Sequence, residues 1–197
     1  MSDLHHFTLE TERLCIRPLT LDDLDSIHMA LNSAFGEASL EKRRHWLQWT
    51  VMNYDALAGL MQPPYGERAI TLKSTGELIG AVGIVPAYGP FEKLPWFQSR
   101  LNTPNSPHST PEIGLFWGLR ADQQGQGYAT EAARAVIDFL FERWGLGRVV
   151  ATTEYDNTAS MRVMEKLGMS IERNPDDHPA WFQVIGVLGA VTGFIKA

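Results

Sequence analysis

The stretch ADQQGQGYATEAARAVIDFLF, residues 121–141, sets two glycines two apart immediately before a run of helical periodicity. Ala129, Ala132, Ala133, Val136, Ile137 and Leu140, with Trp144 beyond them, recur every three or four residues and share one stripe of a helix, which Gly145 is placed to end. EIGLFWGLR (112–120) upstream and RVVATTE (148–154) downstream read as strands. Gly125 and Gly127 therefore join a strand to a helix that returns to a second, parallel strand. The first-turn N–H groups of such a helix lack intrahelical acceptors and sit at its positive dipole end, which favours an anion such as phosphate. By themselves the two glycines favour the plainer reading of a tight turn into a core helix.

Outward from this unit the chain alternates strands and helices without a repeat. ERLCIRPLT (12–20) places Leu14, Ile16 and Leu19 as a half-buried strand would. Thr20 with Asp23 resembles a capping box, and Leu24, Ile27 and Leu31 follow at helical spacing. Residues 40–61 read as a second helix, stopped by Pro63 and Pro64. RAITLK and LIGAVGIV, joined through Gly76, form a hairpin. The proline-rich segment 86–111 reads as a long loop, a cover for a site or a contact with a second copy in a homodimer. Asn157 opens a shorter helix ending at Leu167 before Gly168, and MSIERN with WFQVIGVLGA closes the chain as a strand pair. The expected order is β-α-α-β-β-β-α-β-α-β-β, an α/β (α+β) fold with a mixed sheet.

Composition narrows the function classes. A chain of 197 residues with 44% hydrophobic content suits one domain spanning 1–197. A net charge of -6 argues against a nucleic-acid binder and suits a cationic substrate. Cys15 is the only cysteine, the N-terminus shows no signal-peptide pattern, and no apolar stretch is long enough to span a bilayer, so a cytoplasmic setting with no membrane association is expected. The six histidines show no metal-ligand spacing, and no metal is expected. A G-x-S-x-G nucleophile elbow is absent.

Two phosphate loops fail on their own terms. A Walker loop needs a lysine that neither glycine has nearby. A dinucleotide fingerprint has Glu154 in place for a ribose, but Thr130 occupies its third glycine position and too little chain follows for a doubly wound sheet. Gln124-Gly125-Gln126-Gly127-Tyr128-Ala129 instead resembles the Q/R-x-x-G-x-G/A coenzyme-A loop of the GNAT superfamily of N-acetyltransferases, with TEA following. DNTASMRVMEKLGM (156–169) and TERLCIRPLT (11–20) resemble two further hallmarks in the right order. The branch most resembled is the RimJ/RimL-like ribosomal-protein N-terminal acetyltransferases.

The resemblance implies a mostly antiparallel central sheet with helices on both faces, acetyl-CoA as donor cosubstrate, and direct transfer to a primary amine on a protein N-terminus or a small molecule. It assigns coenzyme binding to Trp117 and Leu119 through strand backbone, to Gln124, Gly125, Gln126, Gly127, Tyr128, Ala129 and Thr130 in the loop, and to Asn157; the Trp117 side chain reads as structural by default. An alkyl amine with pKa near 10.4 is neutral in only about one molecule in 2500 at pH 7, so a base is useful. Glu112, opening the central strand, holds the family's position for that base or is a solvated carboxylate; Glu154 is a second candidate. The family's acid tyrosine, seven residues after the asparagine, is replaced by Met164, and Ser160 is the branch's substitute acid. Asn157 also suits a plain helix N-cap. Trp46, Trp49, Tyr54, Trp96 and Phe97 are expected acceptor-pocket walls, about half of them core. The replaced tyrosine leaves open a non-catalytic acyl-CoA-binding module.

Overall fold

A computed structural model describes residues 4–100, 108–176 and 178–190. The elements are β1 (Leu9–Glu10), β2 (Leu14–Pro18), α1 (Leu24–Phe35), α2 (Leu40–Gly59), β3 (Gly66–Leu72), β4 (Leu78–Gly89), α3 (Pro95–Gln98), β5 (Thr110–Leu119), α4 (Tyr128–Glu142), β6 (Arg148–Thr153), α5 (Thr158–Leu167), β7 (Ser170–Arg173) and β8 (Val184–Gly189). They form a mixed, mostly antiparallel eight-stranded sheet flanked by helices. The described residues fall into two compact units, divided between Val85 and Pro86, Leu115 and Phe116, and Val136 and Ile137. Strands β4 and β5 and helix α4 each pass from one unit to the other.

In the first unit the strand order is β1-β2-β3-β4-β5. Ile16 pairs with Ile70 and Ala69 with Ala81 in antiparallel register. Because opposed residues share a face, the alternation in β2 buries Leu14 and Ile16 and leaves Cys15 half-buried. Helices α1 and α2 close one face with Leu24, Ile27, Leu31 and Leu47 over Ala69 and Ala81. The expected capping pair opens a single 3-10 turn, Leu21–Asp23, that leads into α1. The Asp23 carboxylate accepts from the Thr20 N–H at 2.8 Å and from both terminal nitrogens of Arg17 at 2.7 and 2.8 Å. Burial pushes the Asp23 carboxyl up, but these hydrogen bonds and the Arg17 charge hold it below the ordinary carboxylate value.

In the second unit β5 and β6 run parallel at Gly114 and Val150, as the strand–helix–strand spacing requires, while β6, β8 and β7 pair antiparallel. Phe91, Leu94, Phe97 and Phe182 build its core with Val150, Ile185 and Val187. This corrects the reading of 86–111 as one loop. Strand β4 runs on to Gly89, a 3-10 turn covers Phe91–Lys93, and α3 follows. Phe91, Leu94 and Phe97 are fully buried, so this part is anchored by its aromatic residues; the remainder of the expected cover, 101–107, lies outside the described residues. Two short elements, β1 and α3, are too brief to produce a periodicity signal. The last strand is also shorter than expected, because Trp181 and Phe182 belong to a 3-10 turn that drives Phe182 into the core.

Candidate active site

The glycine turn lies in the first unit. A 3-10 turn over Ala121–Gln123 follows β5, Gln124 is extended, and Gly125 and Gly127 take φ of +75° and +85° before α4 begins at Tyr128. A side chain at Gly125 would meet nothing within 4 Å, so its glycine answers to backbone conformation alone, and the outside of the turn is open. The Gln124 amide turns inward and donates to the Leu119 carbonyl at 3.0 Å, tying the loop to the end of β5. Ala129 and Thr130 occupy the first turn of α4, half-buried beside Tyr128.

A strap that periodicity and spacing do not reveal fixes this turn. Thr11 and Arg13, two residues apart in the link between β1 and β2, both reach Glu131 in the first turn of α4. The Glu131 carboxylate accepts from the Thr11 hydroxyl at 2.6 Å, the Arg13 N–H at 3.0 Å and the Arg13 guanidinium at 2.6 and 2.7 Å. The same guanidinium donates to the Gln126 carbonyl at 3.0 Å and lies 4.5 Å from the centre of the Tyr128 ring. Burial pushes the Glu131 carboxyl up, but the Thr11 and Arg13 hydrogen bonds prevail and hold it below its ordinary value. Arg120 braces the other side of the loop, donating to Asp122 at 2.6 and 2.8 Å and to Glu77 at 2.7 Å. That hydrogen bonding lowers the Asp122 carboxyl to about 2.

Strand β5 approaches the turn through a glycine-lined passage. A Cβ at Gly80 would lie 2.3 Å from the Gly118 carbonyl oxygen, one at Gly118 would lie 2.5 Å from the Phe35 ring, and one at Gly83 would lie 1.9 Å from the Phe116 ring. These positions admit no larger residue without moving β5 or its aromatic neighbours. Trp117 is half-buried and Leu119 buried, so the first unit gathers every loop and strand residue of the expected coenzyme set except Asn157.

The remaining site residues lie in the second unit. Glu112 is buried and held end to end by Arg148, whose Nε and terminal nitrogen donate to its two oxygens at 2.7 and 2.6 Å. The hydrogen bond to Glu112 holds the Arg148 guanidinium above its ordinary value against the opposing effect of burial. Glu112 is therefore neither a solvated strand-start carboxylate nor unpartnered. Glu154 is exposed. Asn157 caps α5, its side-chain oxygen accepting the Ser160 N–H at 3.0 Å, which leaves the half-buried Ser160 hydroxyl on the first turn. Met164 is 1% exposed and packs against Gly186, so the position of the family's tyrosine belongs to the core of this chain.

The expected wall aromatics do not form one cluster. Tyr54 is buried, its hydroxyl accepting from the Leu19 N–H and donating to the Glu67 carbonyl, and Phe97 belongs to the core of the second unit. Trp46 packs on the core of the first unit, and Trp96 is half-buried with its backbone N–H on Glu172 at 3.0 Å. Trp49, 55% exposed, lines a 410 Å³ groove with Leu21, His45, Gln48, Val51 and Met52.

Comparison with known proteins gives one consistent answer. The family model described as Acetyltransferase (GNAT) domain matches residues 13–170. Among curated relatives, the Bacillus subtilis protein named uncharacterized N-acetyltransferase YnaD is 43% identical over 63 residues, 32% of this chain and 36% of its own. The Bacillus subtilis protein YkkB is 34% identical over 128 residues, 64% of this chain and 59% of its own. The chain thus spans less than two thirds of the length of either relative. The spermidine N(1)-acetyltransferase of Escherichia coli K12 is 24% identical over 80% of this chain and 73% of its own. An acetyltransferase structure from Agrobacterium tumefaciens superposes with a TM-score of 0.65 at 27% identity, covering 93% of this chain and 95% of that one. The ribosomal-protein-S5-alanine acetyltransferase of Vibrio fischeri shares the fold at a TM-score of 0.66 and 18% identity, over 97% of this chain and 100% of that one.

Proposed function

Because this chain belongs to the acetyltransferase (GNAT) family, we propose that it transfers an acetyl group directly from acetyl-CoA to a primary amine, in the manner of the RimJ/RimL-like branch and as one catalytic domain. The observation that carries the reading is the braced turn at Gly125 and Gly127, with both glycines at positive φ and the first turn of α4 directly behind them. Its open outer surface and backbone N–H groups suit a pyrophosphate.

In this reading Gln124, Gly125, Gln126, Gly127, Tyr128, Ala129 and Thr130 hold the pyrophosphate through backbone N–H groups, and Asn157 holds the coenzyme arm. Backbone of β5 at Trp117 and Leu119 aligns that arm and polarises the thioester carbonyl, as preorganised donors do. Bound acetyl-CoA supplies an acetyl group already activated as a thioester. Glu112 takes up the proton that the amine must lose; Arg148 uses one lone pair on each of its oxygens, and a second on each is left to accept from the amine or an intervening water. The Ser160 hydroxyl delivers a proton to the departing thiolate and is restored from solvent.

The acceptor is a small-molecule amine or a protein N-terminus. The experiment is calorimetric titration with acetyl-CoA followed by thiol release with a panel of peptide N-termini, alkyl amines and polyamines. Micromolar binding with turnover of at least one amine is expected. No binding would refute the coenzyme site, and tight binding with no turnover on any amine would leave a binding module in its place.

A further inference from the structure

Glu67 carries a carboxylate that nothing in the preceding scheme uses. It stands on β3 directly opposite Gly83 of β4, and opposed residues in an antiparallel pair project to the same face. Two residues further along that face, Ala69 and Ala81 lie under α1 and α2, so Glu67 points to the helix-covered side. Gly83 has no side chain, and the Phe116 ring fills the place where one would stand, with its Cε1 1.9 Å from an ideal Cβ position. Cβ positions of opposed residues are about 5 Å apart, which sets the Glu67 side chain beside that ring. Phe116 in turn meets Phe35 edge to face at 6.0 Å, and Phe35, at the end of α1, is 61% exposed. All of these residues belong to the first unit.

Glu67 is half-buried, and the partners of its carboxylate are few. Among the described residues it accepts from its own backbone N–H and from the Thr50 hydroxyl at 3.5 Å, the outer limit of such a contact, and it forms no ion pair. The charges of Arg68 and Arg43 reach the Glu67 carboxylate, but their side-chain hydrogen bonds go to other groups. Arg68 stacks between Phe7 and Tyr54 and donates to the backbone carbonyls of Glu67, His5 and Pro64. Arg43 donates to the Asn32 side chain at 3.2 Å, and its buried Nε has no hydrogen-bond partner among the described residues. Burial pushes the Glu67 carboxyl up, against its own backbone N–H and the Arg68 charge, the Thr50 hydroxyl and the Arg43 charge. Enclosed carboxylates in folded proteins are ordinarily paired or multiply hydrogen-bonded. A negative group beside an aromatic ring that packs on a second ring open to solvent has the composition of an ammonium site.

We infer that Glu67, with Phe116 and Phe35 as its aromatic wall, binds the protonated form of an aliphatic amine acceptor and so determines acceptor specificity. The inference rests on the acetyltransferase reading and deepens it. Glu67 is a binding residue for the cation, whereas removal of the reacting proton stays with Glu112.

The test uses full-length protein, 1,4-diaminobutane as probe, and the variants Glu67→Gln, Glu67→Asp and Phe116→Leu. Glu67→Gln is expected to raise KM for the diamine at least tenfold while kcat changes less than threefold and acetyl-CoA affinity stays unchanged by calorimetry. Titration of the diamine into the protein saturated with coenzyme A is expected to show binding to wild type and its loss in Glu67→Gln. Phe116→Leu, which keeps the apolar bulk and removes the ring, is expected to weaken diamine binding several-fold. Glu67→Asp keeps the charge and is expected to retain part of the affinity; if Glu67→Gln is unfolded, Glu67→Asp and Phe116→Leu decide. Unchanged diamine KM and affinity in the folded variants would overturn the inference, as would a fall in kcat at constant KM. Wild-type protein that binds no acetyl-CoA fails the acetyltransferase reading instead, and is distinguished by the first titration.

Discussion

Replacing Glu131 by alanine tests whether the strap holds the coenzyme turn. The substitution removes a carboxylate, 17% exposed, that accepts from the Thr11 hydroxyl, the Arg13 N–H and the Arg13 guanidinium. A hydrogen bond to a charged group contributes about 1.5–3 kcal/mol when well enclosed. The Arg13 side chain is 43% exposed, so its share is discounted to about 0.5–1 kcal/mol. The Thr11 hydroxyl and the Arg13 N–H, discounted for partial solvation, add about 1 kcal/mol each. The total of about 2–3 kcal/mol corresponds to a fall of about 4–12 °C in Tm for a protein of this size. Glu131 also has a depressed folded-state pKa, so its contribution is complete above the unfolded value near 4.3 and is lost as pH falls through the folded value. The stability gap between wild type and Glu131→Gln should therefore narrow below about pH 4 and stay constant from pH 6 to 8. Thermal unfolding across pH measures this, and calorimetry with acetyl-CoA should show weaker binding as Gln126 and Tyr128 lose Arg13. A variant with wild-type Tm and unchanged coenzyme affinity would refute the strap.

Gly125→Ala should cost about 1–2 kcal/mol, because only the positive φ opposes the new methyl group. Equal Tm and acetyl-CoA Kd in variant and wild type would show that the turn relaxes without penalty. Asn157→Ala removes the cap on the Ser160 N–H and should destabilise by about 1 kcal/mol, while Asn157→Asp keeps the cap. Denaturant unfolding separates that loss from any change in coenzyme affinity, which only the binding role predicts. Arg148→Met leaves the buried Glu112 carboxylate without its fork and should destabilise by about 2–3 kcal/mol, whereas the double change with Glu112→Gln should recover part of the loss. Additive losses in denaturant unfolding would show that the pair is not coupled. Glu112→Gln alone should lower kcat and alter the pH profile of turnover, and an unchanged profile would remove Glu112 from proton transfer.

Much of the fold was legible because its signals are local. Thr20 and Asp23, Gly76, the glycine pair and Asn157 with Gly168 each act on backbone within a few residues, and their elements formed close to the expected bounds. The segment 86–111 reads as a loop because its prolines and polar residues mask Phe91, Leu94 and Phe97, whose burial depends on Phe182 roughly ninety residues away. The coenzyme turn was legible for the same local reason, but what holds it was not. Thr11 and Arg13 lie more than a hundred residues from Glu131, and no spacing rule pairs them.

The amino-acid sequence alone sets most of the order of strands and helices, all but the short β1 and α3, along with the parallel return through α4 and two glycines whose positive φ only that residue tolerates easily. Those follow from short-range sterics and hydrophobic period, which chain neighbours impose on one another. Which charges are spent and which remain is set by the folded tertiary structure. It gave Glu112 to Arg148 and Glu131 to Thr11 and Arg13, and it left Glu67 beside Phe116 with no ion pair among the described residues. Charge pairing is set by through-space distance and burial, quantities that residues remote in the chain acquire only when the sheet has formed.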